Sequence, residues 1–327
     1  MGREVITLQN PPIILSSAAV GGKTEGEGPH GDRFDYIDPE GKFGKETWEQ
    51  AEAEMQGMSL GFALNKVHLS QNDLDFVLAG DLMNQCVSSS YGAQPFGVPY
   101  LGIYGACSTS CLGLLLGALL LDGGYGEKLG VVASSHFCSA ERQFRFPLDY
   151  GGQRPPTAQW TVTAAGAFIL AQSGKGARIT RVLAGRIVDG GITDANNMGA
   201  AMAPAAYDTL ARFLQSTGTT PNDYDKIVTG DLGFEGYSIL CDLFRKDGVE
   251  LGDNCVDCGL LIYDRDRQDV HAGGSGCGCS ASMLSSVLLA QKNKKMLYIA
   301  TGALMSPTIV KQGKSIPGIA HLVQIEW

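Results

Sequence analysis

Apolar residues recur along this chain in two rhythms. Between Lys45 and Lys66, Trp48, Ala51, Met55, Met58 and Phe62 fall at helical spacing, which predicts a helix there. Short apolar runs bounded by turn residues predict strands over Leu74–Ala79, Tyr100–Tyr104 and Leu129–Ser134, and a longer run predicts one over Thr161–Ala171. Ser108–Leu121 is apolar almost throughout and reads as a central helix. After a polar linker, Gln172–Arg178, the alternation resumes. Ile179–Val188 reads as a strand, Pro204–Ser216 as a helix opened by a tolerated proline, and Lys226–Thr229 as a strand.

The alternation is also a repetition. "NDLDFVLAGDL" (Asn72–Leu82) lies over "NDYDKIVTGDL" (Asn222–Leu232) without a gap, with six of eleven positions identical. In the same order, "CSTSCLGLLL" from Cys107 lies over "CSASMLSSVL" from Cys279, and "EKLGVVASS" (Glu127–Ser135) over "KKMLYIATG" (Lys294–Gly302). A period of about 150 residues is too long for a solenoid and points to a duplicated domain. The expectation is two halves, residues 1–175 and 176–327. Each would be a mixed, largely parallel sheet covered on both faces, together forming a five-layered α/β/α/β/α sandwich.

Composition narrows the function classes. Hydrophobic residues make up 44% and charged residues 18% of the 327, with 44 glycines, a profile of packed domains rather than disorder. A net charge of −9 repels a nucleic-acid backbone, so no nucleic-acid partner is expected. The opening "MGREVITLQNPPIILSSAAVGG" lacks the charged-then-apolar order of a secretory signal. The longest apolar stretch, Leu112–Leu121, falls short of the roughly 20 residues that span a membrane. Nine cysteines without a disulfide-like spacing suggest reduced thiols in a cytosolic compartment. "CVDC" (Cys255–Cys258) and "CGC" (Cys277–Cys279) miss the spacing of a zinc ribbon, and "AGGSGCGC" lacks the Lys-Ser/Thr of a P-loop. Neither a metal nor a cofactor is expected.

Cys107 stands where a strand turns into the central helix. Unpaired N–H groups at a helix start favour a thiolate, so this is a candidate nucleophile, although cysteine is also a common buried hydrophobe. With "GACSTS" opening an apolar helix in a duplicated α/β chain, the sequence resembles the thiolase and ketoacyl synthase superfamily. It is similar, more narrowly, to the stage V sporulation protein AD family of spore-forming bacteria. The likeness is carried by "SSHFCSAERQFRFP" (Ser134–Pro147), "MGAAMAPAA" (Met198–Ala206), "TGDLG" (Thr229–Gly233), "AGGSGCGCSA" (Ala272–Ala281) and "ATGALMSPT" (Ala300–Thr308).

That resemblance puts Cys107 on the nucleophile position and implies a histidine, and an asparagine or second histidine, from the second half. Here Gly230 and Asp231 replace the histidine, Gly273 and Gly274 stand at the asparagine, and His271 lies just upstream. The expectation is a degenerate site without condensing activity. The alternative is a cysteine-dependent acyltransferase or thioesterase using His136 or His271. The segment His136–Trp160 carries Arg142, Arg145 and Arg154 among aromatic residues and suits a flat aromatic acid, since Arg forks hold carboxylates bidentately. Equally, these arginines could pair with Glu141 and Asp149 and pin a loop. The resemblance implies dipicolinic acid as ligand, with or without calcium, held by Cys107, Ser108, His136, Arg142, Arg145, Arg154 and Asp231. It further implies other stage V sporulation A membrane proteins as partners, a forespore location against the spore inner membrane, and a homodimer paired through Val98–Gly105.

Overall fold

The computed structural model describes residues 5–144 and 153–327. Among the described residues the main sheet has twelve strands: Ile6–Thr7 and Tyr36–Asp38 pair at its side, and ten lie along one continuous path. These ten are β1 (Ile13–Gly22), β2 (Phe76–Gly80), β3 (Tyr100–Gly102), β4 (Lys128–Ser135), β5 (Ala164–Ala171), β6 (Ala177–Leu183), β7 (Lys226–Thr229), β8 (Cys255–Asp257), β9 (Lys295–Ala303) and β10 (Gly318–Glu326). The spatial order is β3-β2-β4-β5-β1 in one half and β8-β7-β9-β10-β6 in the other. Strand for strand, this is the same order. In each half three strands run parallel, and the last two close antiparallel. A short pairing of Ile13 and Ile14 with Arg178 and Ala177 joins the halves.

Helices cover both faces of each strand set. α1 (Trp48–Asn65) and α2 (Val87–Ala93) pack on the outside of the first. α5 (Met198–Thr217) and α6 (Gly233–Lys246) do so on the second. Between the two lie α3 (Thr109–Asp122) and α7 (Cys277–Met283), which gives the five layers. Sandwiched strands need no polar face, and every residue of β5 is buried. α3 touches β2 and β4 on one side and β9 and β10 on the other. Two glycines permit this closeness. A Cβ on Gly113 would stand 2.6 Å from Val131, and one on Gly117 would stand 2.9 Å from Leu129 and Leu170. Hydrogen bonds from Ser110 Oγ to Ser280 Oγ (2.8 Å) and Tyr298 OH (2.6 Å) tie the central helices and β9 together.

The expected elements stand, with three differences. α5 begins at Met198, so Pro204 lies inside the helix rather than opening it. Asn197 caps that start by accepting from Ala200 N at 3.1 Å, and the alanine-rich first turns are good helix formers. The run Thr161–Ala171 is broken at Val162–Thr163. Trp160–Thr161 leaves the main sheet to pair with Gly274–Ser275, and β5 follows. β6 stops at Leu183, and Val188 returns only as a single bridge to Gly318.

Candidate functional site

The turn into α3 holds Cys107 in place. Ala106 takes a left-handed backbone (φ 51°), and Ser108 Oγ donates to the Gly105 carbonyl at 2.6 Å. Ser108 therefore faces back into the turn and is fully buried. β9 passes so close that a Cβ on Gly302 would lie 2.5 Å from the Gly105 oxygen. Only glycine fits there. The result presents Cys107, 4% exposed, on the wall of a cavity of about 370 Å³. Cys86, Tyr104, Ser275 and Met305 line it too, so both halves contribute.

Beneath this wall sits Asp231, fully buried. Its Oδ2 accepts from Gly276 N at 2.7 Å and Ser275 Oγ at 3.4 Å, its Oδ1 from Thr301 Oγ1 at 2.9 Å, and the Cys107 thiol also bonds it. Burial raises its pKa from 3.8 to about 6, with these bonds opposing the shift. Asp257 lies behind, accepting from Thr229 Oγ1 and from the Leu232 and Gly233 amides that start α6. Burial, reinforced by the Asp231 charge, pushes it to about 7. Cys277 is raised well above the usual thiol range by burial, with Cys107 and the carboxylates of Glu52, Asp81 and Asp231 adding to it. The titratable neighbours of Cys107 are thus carboxylic acids, thiols and the Tyr104 phenol, which burial pushes up to about 12.

Both candidate histidines are engaged elsewhere. His136 Nε2 contacts the Gly41 carbonyl at 2.8 Å, its Nδ1 accepts from Cys138 N, and its ring lies 5.4 Å from Trp48. His271 Nδ1 contacts the Pro155 carbonyl at 3.0 Å, and its Nε2 lies 2.9 Å from Asp269. Neither lines the Cys107 cavity.

The structure separates the arginines as well. Arg142 is 57% exposed and pairs with Glu49 of α1, outside the cavity. Arg145 lies outside the described residues. Arg154 stacks on Trp160 at 4.6 Å, and Trp160 stacks on Phe137 at 3.9 Å. It lines a second cavity of about 150 Å³, which shares Phe144, Met198, Met305 and Pro307 with the first. The two form one cleft. Among the described residues, no three or more His, Cys, Asp or Glu side chains are placed to hold a metal.

Cys107 and Asp231 therefore come together, Ser108 and Asp231 lie behind the cavity wall rather than in its lining, and Arg154 sits at the far end of the cleft. Sequence reasoning missed Ser275, Gly276 and Thr301, which hold Asp231. The repeat marked the aspartate itself but not these donors. Asp81, the first-half counterpart of Asp231, accepts from Met83 N (2.8 Å), Ser89 N (2.8 Å) and Ser89 Oγ (2.6 Å). An aspartate after this strand collects backbone and hydroxyl donors in both halves.

The fold is shared with condensing enzymes. 3-Oxoacyl-(acyl-carrier-protein) synthase III of Aquifex aeolicus matches with a TM-score of 0.60 at 13% identity, over 97% of this chain and 100% of that one. OleA of Xanthomonas campestris matches with a TM-score of 0.64 at 12% identity, over 98% and 100%. Such identities speak for the fold alone. Stage V sporulation protein AD of Bacillus subtilis is 42% identical over 99% of this chain and 97% of its own length. The family model for stage V sporulation protein AD matches residues 2–326. This chain belongs to the stage V sporulation protein AD family.

Proposed function

We propose that this chain is a non-catalytic binding protein of sporulation and spore germination. It holds dipicolinic acid, alone or as the calcium chelate, in the cleft between its halves. With other stage V sporulation A membrane proteins, and from a peripheral position at the spore inner membrane, it serves the movement of that ligand across the membrane. No helix among the described residues is long and apolar enough to cross a membrane, so this reading assigns the crossing to the partners.

The observation that carries the non-catalytic half is the hydrogen bond between the Cys107 thiol and Asp231. Condensation on a thioester needs a thiolate and a donor for the developing oxyanion. An ionised Asp231 disfavours the thiolate by its charge, and a protonated Asp231 is no longer a base that can take the thiol proton. In neither state does it replace an imidazole. The position of Cys107 on the cavity wall at the start of α3 favours the second reading, an acyltransferase or thioesterase.

Calorimetric titration with dipicolinate, with and without calcium, tests the first reading, which expects saturable one-site binding. Incubation with acyl-CoA followed by mass spectrometry should find Cys107 unmodified. Turnover through an acyl-Cys107 species overturns the non-catalytic assignment.

A further inference from the structure

The second cavity has a polarity of its own. Arg154 is held by Nη2, which donates to the Asp269 carbonyl at 2.7 Å and lies 3.3 Å from its carboxylate. Its Nη1 is buried and has no hydrogen-bond partner among the described residues. A buried guanidinium nitrogen without an acceptor is costly unless a ligand supplies one. Across the cavity, from the last turn of α8 (Pro307–Lys311), comes Lys311, which has no ion pair or hydrogen bond among the described residues. Glu141 also lines this cavity and is engaged in an interaction of its own. Arg154, Lys311 and Glu141 are the charged side chains of this lining, and Asp269, which pairs with Arg154 through Nη2, lies outside it, so Nη1 and Lys311 are the charged donors left to face the cavity. Phe144, Met198 and Met305 form an apolar neck from this end towards Cys107.

We infer that Arg154 and Lys311, one from each half, form a carboxylate subsite, with the ring of an aromatic acid lying along the Phe144–Met198–Met305 neck. The inference rests on the binding reading above and adds Lys311, which no sequence motif marked. It also leaves Arg142 out, because its charge already meets Glu49 outside the cleft.

The test is titration of dipicolinate and of benzoate into wild type, Lys311→Met, Arg154→Gln, Arg154→Lys and Arg142→Gln, with melting temperatures measured alongside. Charge-assisted bonds to a carboxylate predict that Lys311→Met and Arg154→Gln each weaken dipicolinate about tenfold or more. Arg154→Lys recovers part of the loss, because it restores charge without the planar fork. Arg142→Gln stays within about twofold of wild type. Lys311 is exposed, so its variant keeps the wild-type melting temperature and carries the test even if Arg154→Gln fails to fold. Wild-type affinity for dipicolinate in both variants overturns the subsite and leaves the binding reading standing. If wild type ignores dipicolinate but binds benzoate, with loss in both variants, the subsite stands and dipicolinate falls. Binding of neither acid by wild type overturns both.

Discussion

An ionised Asp231 and a thiolate at Cys107 oppose each other in one buried site, and this sets what each residue can do. Asp231 keeps its proton to about pH 6 in the folded chain and to about 3.8 when exposed. Below 3.8 both states hold the proton, and the buried acid carries no penalty. Between 3.8 and 6 the unfolded chain releases it first, so stability falls as pH rises, by on the order of 3 kcal/mol in all. Asp231→Asn cannot ionise and escapes that loss. Relative to wild type, its melting temperature should therefore rise from pH 4 to 6 and hold a constant offset beyond. An offset independent of pH would refute the assignment. The same substitution removes the charge that opposes the thiolate, so iodoacetamide should alkylate Cys107 roughly threefold to tenfold faster at pH 7. Peptide mapping of the labelled protein measures this. Asp231 was visible in the sequence as the residue standing where the likeness to thiolases and ketoacyl synthases implies a histidine. Its ligands were not, because Ser275, Gly276 and Thr301 reach it from separate segments whose meeting depends on how β9 and the Gly274–Ser275 strand lie beside α3.

At the scale of elements, α3 shows why a nearly featureless apolar run can still be specific. Its contacts with both strand sets depend on glycines, and Gly113→Ala would bring a methyl group to 2.6 Å from Val131. Overpacking of this kind costs about 1–3 kcal/mol. Gly61, in the middle of α1, has nothing within 4 Å of its added Cβ, so Gly61→Ala should stabilise by about 0.4–1 kcal/mol. Chemical denaturation of the two variants compares a constrained glycine with an unconstrained one, and equal effects would sink this account of α3. Element type was readable from periodicity because burial imposes it, as in α1 and β5. Boundaries were less so. The cap at Asn197 and the alanines after it extend α5 upstream past Pro204, and local propensity outweighed the proline as a start signal. Likewise, the break at Val162–Thr163 reflects pairing with Gly274–Ser275, a partner more than a hundred residues away that no local pattern announces.

For the whole molecule, the duplication was legible because "GDL" exits and helix-opening cysteines recur in order, and the sheet repeats strand for strand. What a one-chain pattern leaves unfinished is the sheet's edge. β3 pairs with β2 alone, and its other side presents backbone groups to solvent. Leu101 on this strand is 42% exposed, Tyr104 just after it 51%, and Tyr91 on neighbouring α2 65%. An exposed apolar edge strand invites pairing, and a two-fold axis through it satisfies both copies with one surface. We propose that β3 pairs antiparallel with its copy in a homodimer, which continues the sheet across the axis. Tyr104 also lines the Cys107 cavity, so dimerisation would bring the partner close to the ligand cleft. Leu101→Arg places like charges against each other across the axis, and in light scattering at micromolar concentration it should convert a dimer into a folded monomer. Circular dichroism on the same sample distinguishes dissociation from unfolding. A monomeric wild type overturns the homodimer, and a variant as dimeric as wild type places the interface elsewhere than β3.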